Sequence, residues 1–378
     1  RNQEIFCKRK GETVMNPHFP EIKKNFGFGM MRLPMLGEEV DLETTAKMVD
    51  AFLAAGFNYF DTAHPYIQGK SEQAFKACVA DRYPREQYLL ANKLSGGYFE
   101  KEEEIRPLLE SQLKICGVEY FDFLLMHALS ADRHEKYTEL KAYEVAQEMK
   151  AEGKIRHVGF SFHDSAEVLD RILTDRPEME FVQLQFNYVD YEDNRVQARA
   201  CYEVCRRHRK PVMVMEPVKG GSLVNLPAQA LELLPKGSPA SYAIRFAASF
   251  EGVAMVLSGM SNMEQMMDNI SYMADFKPLT EEEYAVIAQV RTIYQGQHRI
   301  PCTGCRYCVD GCPAGIAIPD LFSAFNDLKQ NKEGAAEAYA AFTAKAPDCV
   351  DCGQCEGICP QTLSIRQLLA AVDEAFNQ

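Results

Sequence analysis

Eight short apolar runs, each trailed by an amphipathic stretch, fill the first 300 residues and leave few folds open. The runs are Phe26 to Met31, Tyr59 to Ala63, Tyr88 to Lys93, Phe121 to His127, His157 to Phe162, Phe181 to Asn187, Val212 to Glu216 and Ala254 to Ser258. Helical periodicity lies between them, at Leu42 to Ala55, Ser71 to Val79, Glu102 to Ile115, Glu135 to Glu152 and Asn194 to His208. Strands separated by helices must run parallel, because the helix returns the chain to the same end of the sheet. Eight such units over roughly 250 residues predict an α/β fold, a closed (β/α)8 TIM barrel, rather than an open doubly wound sheet. No G-x-G-x-x-G follows any of the runs, which argues against a Rossmann domain.

A barrel of that size leaves a tail in a chain of 378 residues, so one large domain and one small one are expected. The 41 Lys and Arg against 54 Asp and Glu give a net charge of −13, which excludes the basic field that nucleic acid or anionic lipid would need. No apolar run approaches the roughly 18 residues of a membrane span, and no apolar signal core follows the basic start Arg1 to Lys10. The expected location is the cytoplasm. There thiols stay reduced, so the 13 cysteines read as metal or redox chemistry rather than as a disulfide framework.

Eight of those cysteines follow Ile300 and spell one word twice. Cys302-Thr-Gly-Cys305-Arg-Tyr-Cys308-Val-Asp-Gly-Cys312-Pro313 returns 47 positions later as Cys349-Val-Asp-Cys352-Gly-Gln-Cys355-Glu-Gly-Ile-Cys359-Pro360. Two-residue gaps let three thiolates from one loop converge on a cluster. A pair of structural zinc sites is the plainer alternative, although such sites usually pair two CxxC units across a wider gap. The spacing resembles that of bacterial two-cluster ferredoxins, whose fourth Cys ligates the other cluster. That resemblance implies two 4Fe-4S clusters, one on Cys302, Cys305, Cys308 and Cys359, the other on Cys349, Cys352, Cys355 and Cys312. Between the words, Ile318-Pro319-Asp320-Leu321-Phe322 opens one helical segment and Glu333 to Ala346 is Ala-rich enough for a second. The tail therefore looks like the mainly helical ferredoxin modules of larger oxidoreductases.

In a barrel of this kind, chemistry belongs at the carboxyl ends of the strands. There the sequence places Asp61-Thr62-Ala63-His64-Pro65-Tyr66, then Asn92-Lys93, then Met126-His127. Singly each has an ordinary explanation: a buried ion pair for Asp61 and Lys93, a rim aromatic for Tyr66, a core histidine for His127. Together they are costly to bury for packing alone. These words resemble the aldo-keto reductases over about Gly27 to Asn269, with the tetrad Asp61, Tyr66, Lys93 and His127 in order. The resemblance implies an oxidoreductase that reduces an aldehyde or ketone with hydride from NADPH or NADH, Tyr66 donating the proton, Lys93 and Asp61 making it acidic, and His127 binding the carbonyl oxygen. It also implies cofactor contacts at Ser161 and Gln183 for the carboxamide, at Lys219, Gly221 and Gly259 for the phosphates, and at Asn262, Gln265, Asp268 and Asn269 for the adenosine half. Two positions depart from the family: Phe162 stands where Asn is frequent, and Met215-Glu216-Pro217 where an aromatic commonly stacks. Lys and Arg are absent between Ser258 and Asn269, so a 2′-phosphate would rely on Lys219, or else NADH would be favoured.

The expected layout is a lead at 1–20, the barrel at 21–278, a linker helix at 279–300 and the ferredoxin domain at 301–378. A nicotinamide moves two electrons and a cluster one, and flavin ordinarily mediates; the sequence carries no flavin motif, though the phosphate loops could hold one. The tail would feed the barrel, drain it to a redox partner protein, or act as a structural cap. The alternative function is an electron-transfer or redox-sensing iron-sulfur protein whose barrel binds a nucleotide or flavin without carbonyl turnover. The substrate-selecting loops offer only aromatics such as Tyr98, Phe99 and Tyr188, and Cys201 and Cys205 read as one face of a helix ending in basic residues.

Overall fold

A computed structural model of the chain describes residues 18–234, 237–328 and 331–377; most of the lead at 1–20 lies outside them. The chain forms two compact units. One comprises the chain up to Pro217 with Ala240–Thr280, the other Val218–Pro239 with the chain from Glu281 onward.

The first unit is a closed barrel of eight parallel strands in sequential order: β1 (Phe26–Gly29), β2 (Tyr59–Asp61), β3 (Leu89–Leu94), β4 (Phe121–Leu129), β5 (Ile155–Phe162), β6 (Val182–Gln185), β7 (Val212–Met215) and β8 (Val253–Gly259), with β8 closing on β1. Each strand lies within two residues of its expected limits. The interior is filled from alternate positions by Tyr59, Ala91, Phe123, Leu125, Met213 and Met255, over Phe19 and Ile22 of the lead-in. A crowded wall between β5 and β6 explains Gly159, because a Cβ there would stand 2.5 Å from the Phe181 carbonyl oxygen. Two helices differ from expectation. The segment Glu135 to Glu152 is two helices, Ala131–Glu139 and Ala142–Ala151, broken where Lys141 takes a left-handed conformation (φ 53°). The helix at Lys70–Phe75 widens into a π turn at Lys76–Ala80. Cys201 and Cys205 face the core from Ala198–Arg207, where burial pushes the Cys201 thiol up to about 12.

The second unit is helical. Ile318–Asp327, with Pro319 in its first turn, Lys332–Ala341 and Ile365–Asn377 enclose a core of Ile316, Ile318, Leu321, Phe322, Ile365, Leu369 and Val372. Tyr339 and Phe376 stack at 4.1 Å between centroids. The segment 218–239, expected in the barrel domain, groups here. Gly220 (φ 62°) packs so closely that a Cβ would stand 2.1 Å from the Thr303 carbonyl oxygen, and Tyr294 Oη donates to Ser222 Oγ at 3.0 Å. The expected linker is a helix at Glu281–Gln295 that belongs to the same unit. Among the described residues no helix is long and apolar enough to cross a membrane.

The cysteine repeat extends to the backbone. Left-handed residues at Gly304, Arg306 and Gly315 recur at Asp351, Gly353 and Thr362, the same 47-residue offset. Arg306 and Gly353 each cap a one-turn helix, Tyr307–Asp310 and Gln354–Ile358. A left-handed residue on each side of the second Cys turns that loop around a common centre.

Candidate active site and cluster sites

Parallel pairing of β2 with β3 sets Asp61 beside Ala91, and Lys93, two residues further on, projects from the same face of β3. The Lys93 side chain is fully buried; its Nζ donates to Asp61 Oδ1 at 2.6 Å and to the Thr62 carbonyl at 2.8 Å. Burial draws the Lys93 pKa down while Asp61 opposes the fall. The ammonium lies 4.8 Å from the centroid of the Tyr66 ring, which sits on the short turn after β2 and is buried. Ile67 and Gln68 follow in left-handed conformations, turning the chain sharply behind that ring.

The imidazole of His127, on β4, meets the Tyr66 ring edge to face at 6.1 Å between centroids. Its pKa is held well below the usual value by burial first, then by Lys93, Arg133 and His163, so the ring is neutral. Ser95 Oγ lies 2.6 Å from its Nδ1. Gln183 Nε2 donates to the second oxygen of Asp61 at 3.4 Å, and Ser161 Oγ accepts from the amide of Ala128, itself left-handed (φ 54°). The four tetrad positions and the two expected carboxamide contacts thus share one connected region at the carboxyl ends of β2 to β6.

The other expected cofactor residues are placed differently. Asn262 and Gln265 are exposed and cap Met263–Met273: Asn262 Oδ1 accepts from the Gln265 amide and Gln265 Oε1 from the Ser261 amide. Asn269 is buried and bonded to Ser258 Oγ and Tyr272 Oη, while Asp268 is half-buried on the same helix. Gly259 ends β8 beneath the Arg32 side chain. Lys219 is buried in the second unit, and Gly221 (φ 94°) belongs there too. Of the three loop aromatics only Tyr98 is exposed; Phe99 packs on Tyr137 and Tyr188 on Phe246.

In the second unit the eight late cysteines sort into two groups. Cys312, Cys349, Cys352 and Cys355 line one small pocket with Pro313, Ile316 and Leu369. Around Cys308 stand Cys305, Cys302 and Cys359; burial first, then these thiols, push its pKa up to about 12. Both groups mix three cysteines of one word with the last of the other. Among the described residues no three His, Cys, Asp or Glu side chains come close enough to share a single ion. Four thiols spread around an apolar-walled space suit a multi-iron cube, whose corners stand further apart than the ligands of one ion.

Residues 25–292 match the model of the aldo/keto reductase family. The chain belongs to that family. Residues 301–363 match the 4Fe-4S dicluster domain, so this is an aldo/keto reductase barrel followed by an iron-sulfur module. Among curated proteins, the uncharacterized oxidoreductase YqkF of Bacillus subtilis is 23% identical over 62% of this chain and 84% of its own length. Human aldo-keto reductase family 1 member C3 is 33% identical, but over only 27% of this chain and 31% of that protein. Among solved structures, the holo form of aldo-keto reductase AKR11C1 from Bacillus halodurans superposes with a TM-score of 0.57 at 23% identity, covering 70% of this chain and 91% of that one. A Klebsiella pneumoniae aldo-keto reductase in complex with NADPH gives 0.58 at 18%, covering 71% and 90%. At these identities the solved structures establish a shared fold.

Within the aldo/keto reductase barrel, sequence reading missed two supports of the tetrad. Ser95 is one; it stands two residues beyond Lys93, on the same face of the chain, and that period was the available signal. The other is Glu72, fully buried, which accepts from Asn92 Nδ2 at 2.8 Å and Gln112 Nε2 at 2.9 Å and meets His64 Nδ1 at 2.7 Å. Gln112 Nε2 also reaches the Lys93 carbonyl at 3.1 Å, so this carboxylate anchors the backbone on both sides of the lysine. The Glu72 hydrogen bond raises the His64 pKa against the effect of burial. No spacing rule links residues 64, 72, 92 and 112.

Proposed function

We propose that this protein reduces an aldehyde or ketone to an alcohol, with hydride from NADPH or NADH and the proton from Tyr66. The observation that carries the reading is the buried Lys93 ammonium, clamped by Asp61 and turned toward the Tyr66 ring. A phenol gives up its proton reluctantly near pH 7, and a cation a few ångströms away makes the phenolate less costly. Asp61 keeps Lys93 charged in a setting that would otherwise neutralise it. A neutral His127 can donate one hydrogen bond to the substrate oxygen, and Ser95 governs which ring nitrogen carries its proton. Tyr66 and His127 thereby form the side of the site that stabilises developing negative charge on oxygen. The bound nicotinamide supplies the hydride. Ser161 and Gln183 would hold its carboxamide, and Gln183, already bonded to Asp61, would tie that contact to the proton donor.

The dicluster module would carry two 4Fe-4S clusters on the two cysteine groups, and one-electron transfer is the chemistry they would add. The test uses anaerobically reconstituted holoprotein assayed with both dinucleotides against an aldehyde and ketone panel. Tyr66→Phe should lower carbonyl turnover by about 10²- to 10⁴-fold with cluster absorbance unchanged. Undiminished turnover in that variant would remove Tyr66 from the chemistry. Bleaching of the visible cluster absorbance by the reduced dinucleotide would mark electron coupling; normal turnover without bleaching would mark the clusters as structural.

A further inference from the structure

Phosphate recognition at a barrel mouth requires positive charge or exposed amides, and the loop after β8 offers little of either. No Lys or Arg lies between Ser258 and Asn269, and two of the amides there are taken up locally, that of Ser261 by Gln265 Oε1 and that of Gln265 by Asn262 Oδ1. The charge arrives from another strand. Arg32 follows β1, which pairs with β8 so that Gly29 stands beside Gly259. Its aliphatic stem lies flat on Gly259, where an added Cβ would stand 3.2 to 3.3 Å from the Arg32 Cδ, Cβ and Cγ atoms. Ser261 Oγ donates to the Arg32 carbonyl at 2.8 Å and fixes the stem's origin. The glycine at 259 thus makes room for an arginine rather than for a turn.

The guanidinium meets Glu216, the residue after β7, with Arg32 Nη2 3.8 Å from Glu216 Oε1. Glu216 is left-handed (φ 56°), a conformation that costs a residue with a Cβ. It is held there through its carbonyl, which accepts from Asn187 Nδ2 at 3.0 Å. Asn187 is fully buried, donates to Asp190 Oδ2 at 2.7 Å and accepts the amides of Val189 and Asp190 through its Oδ1. A buried network therefore spends backbone strain to aim one carboxylate at one guanidinium. Their ion pair is nonetheless loose: the contact is long, and the two side chains keep 31% and 18% of their exposure. Such pairs are weak, whereas a guanidinium grips a phosphate through two parallel hydrogen bonds.

Resting on the dinucleotide reading above, we infer that Arg32 binds the diphosphate bridge of the dinucleotide, and that Glu216 holds the guanidinium in place until the phosphate displaces it. Arg32 is then the cation missing from the β8 loop. Glu216, standing where the family commonly has an aromatic, sets the affinity by competing for it.

The test is calorimetric titration of the cluster-loaded full chain with NADPH and with NADH across a salt series. Arg32→Ala should weaken both dinucleotides alike, by about 10- to 100-fold, and flatten the salt dependence. Glu216→Gln should tighten both by about two- to fivefold, a gain that misfolding cannot produce. Unchanged affinity in Arg32→Ala, or weaker binding in Glu216→Gln, would overturn the inference. Loss confined to NADPH would move Arg32 to the 2′-phosphate and overturn the diphosphate assignment. Wild-type protein that binds neither dinucleotide would instead overturn the functional reading itself, and does so before any variant is compared.

Discussion

The two units keep their functional groups in place by opposite means. In the barrel the polar groups of the site are held by protein partners: Asp61 holds Lys93, Ser95 meets His127, and Glu72 gathers Asn92 and Gln112. In the second unit Cys312, Cys349, Cys352 and Cys355 line a pocket, Cys352 is exposed, and the apolar core includes Cys308 and Cys355 themselves. One region is organised by folding alone; the other is organised around what it would bind. The second unit does have an apolar core, around Leu321, Phe322, Leu369 and Val372, but it is small, so a bound cluster would add to its stability.

The largest effect should come from removing iron. Chelation under anaerobic oxidation is expected to abolish the visible absorbance and much of the second unit's helical circular dichroism, while the barrel keeps a cooperative thermal transition. Loss of both together would break the contrast.

Next comes the buried pair. Lys93→Met strands the Asp61 carboxylate and should cost about 3–5 kcal/mol of barrel stability along with carbonyl turnover. Adding Asp61→Leu should restore much of the stability and none of the turnover, measured by denaturant melts beside the assay. If the double variant regains turnover, the pair serves packing only.

Two glycine substitutions sharpen the comparison by acting on one unit each. Gly159→Ala pushes a methyl into the Phe181 carbonyl and should lower the barrel transition by about 1–3 kcal/mol, leaving cluster absorbance intact. Gly220→Ala meets the Thr303 carbonyl beside the first cysteine loop and should do the reverse, destabilising the second unit by a similar or larger amount.

The smallest effect concerns pH at the amino-terminal end of the barrel. His157 lies 2.8 Å from Glu180 and 2.7 Å from Glu21; burial disfavours its charge, but the two carboxylates prevail and raise its pKa to about 9. Glu180, although burial works against its charge, is drawn down to about 2 by His157 and Lys150. The histidine's contribution is full below its unfolded value near 6.5 and is lost as pH rises through 9. Glu180's contribution is full above 4.5 and fades as pH falls through 2. Barrel stability should therefore be greatest between about pH 4.5 and 6.5 and fall by about 1–2 kcal/mol toward pH 9, allowing for partial exposure. His157→Gln should flatten that alkaline slope in thermal melts, with no effect on cluster absorbance.

Much of this was legible along the chain, because it rests on local spacing. The eight apolar runs matched the strands to within two residues, since a strand buried on both faces must be apolar throughout. The cysteine words foretold an iron-sulfur module through their resemblance to two-cluster ferredoxins, and the Pro-opened and Ala-rich segments between them foretold its helices. The helix break at Lys141 was not legible: the residues around it are ordinary helix formers, and nothing in their order marks the left-handed turn.

What the amino-acid order determined by itself was the alternation that closes a barrel, the acid, phenol, amine and imidazole at successive strand ends, and the twin thiol words. Tertiary structure alone decided that Ser95 meets His127, that Glu72 anchors the lysine strand, that residues 218–239 leave the barrel for the cluster unit, and that Arg32 lies over Gly259. Each of these joins groups from different strands or loops. Chain separation carries no record of such neighbours until the barrel closes and sets non-adjacent segments side by side.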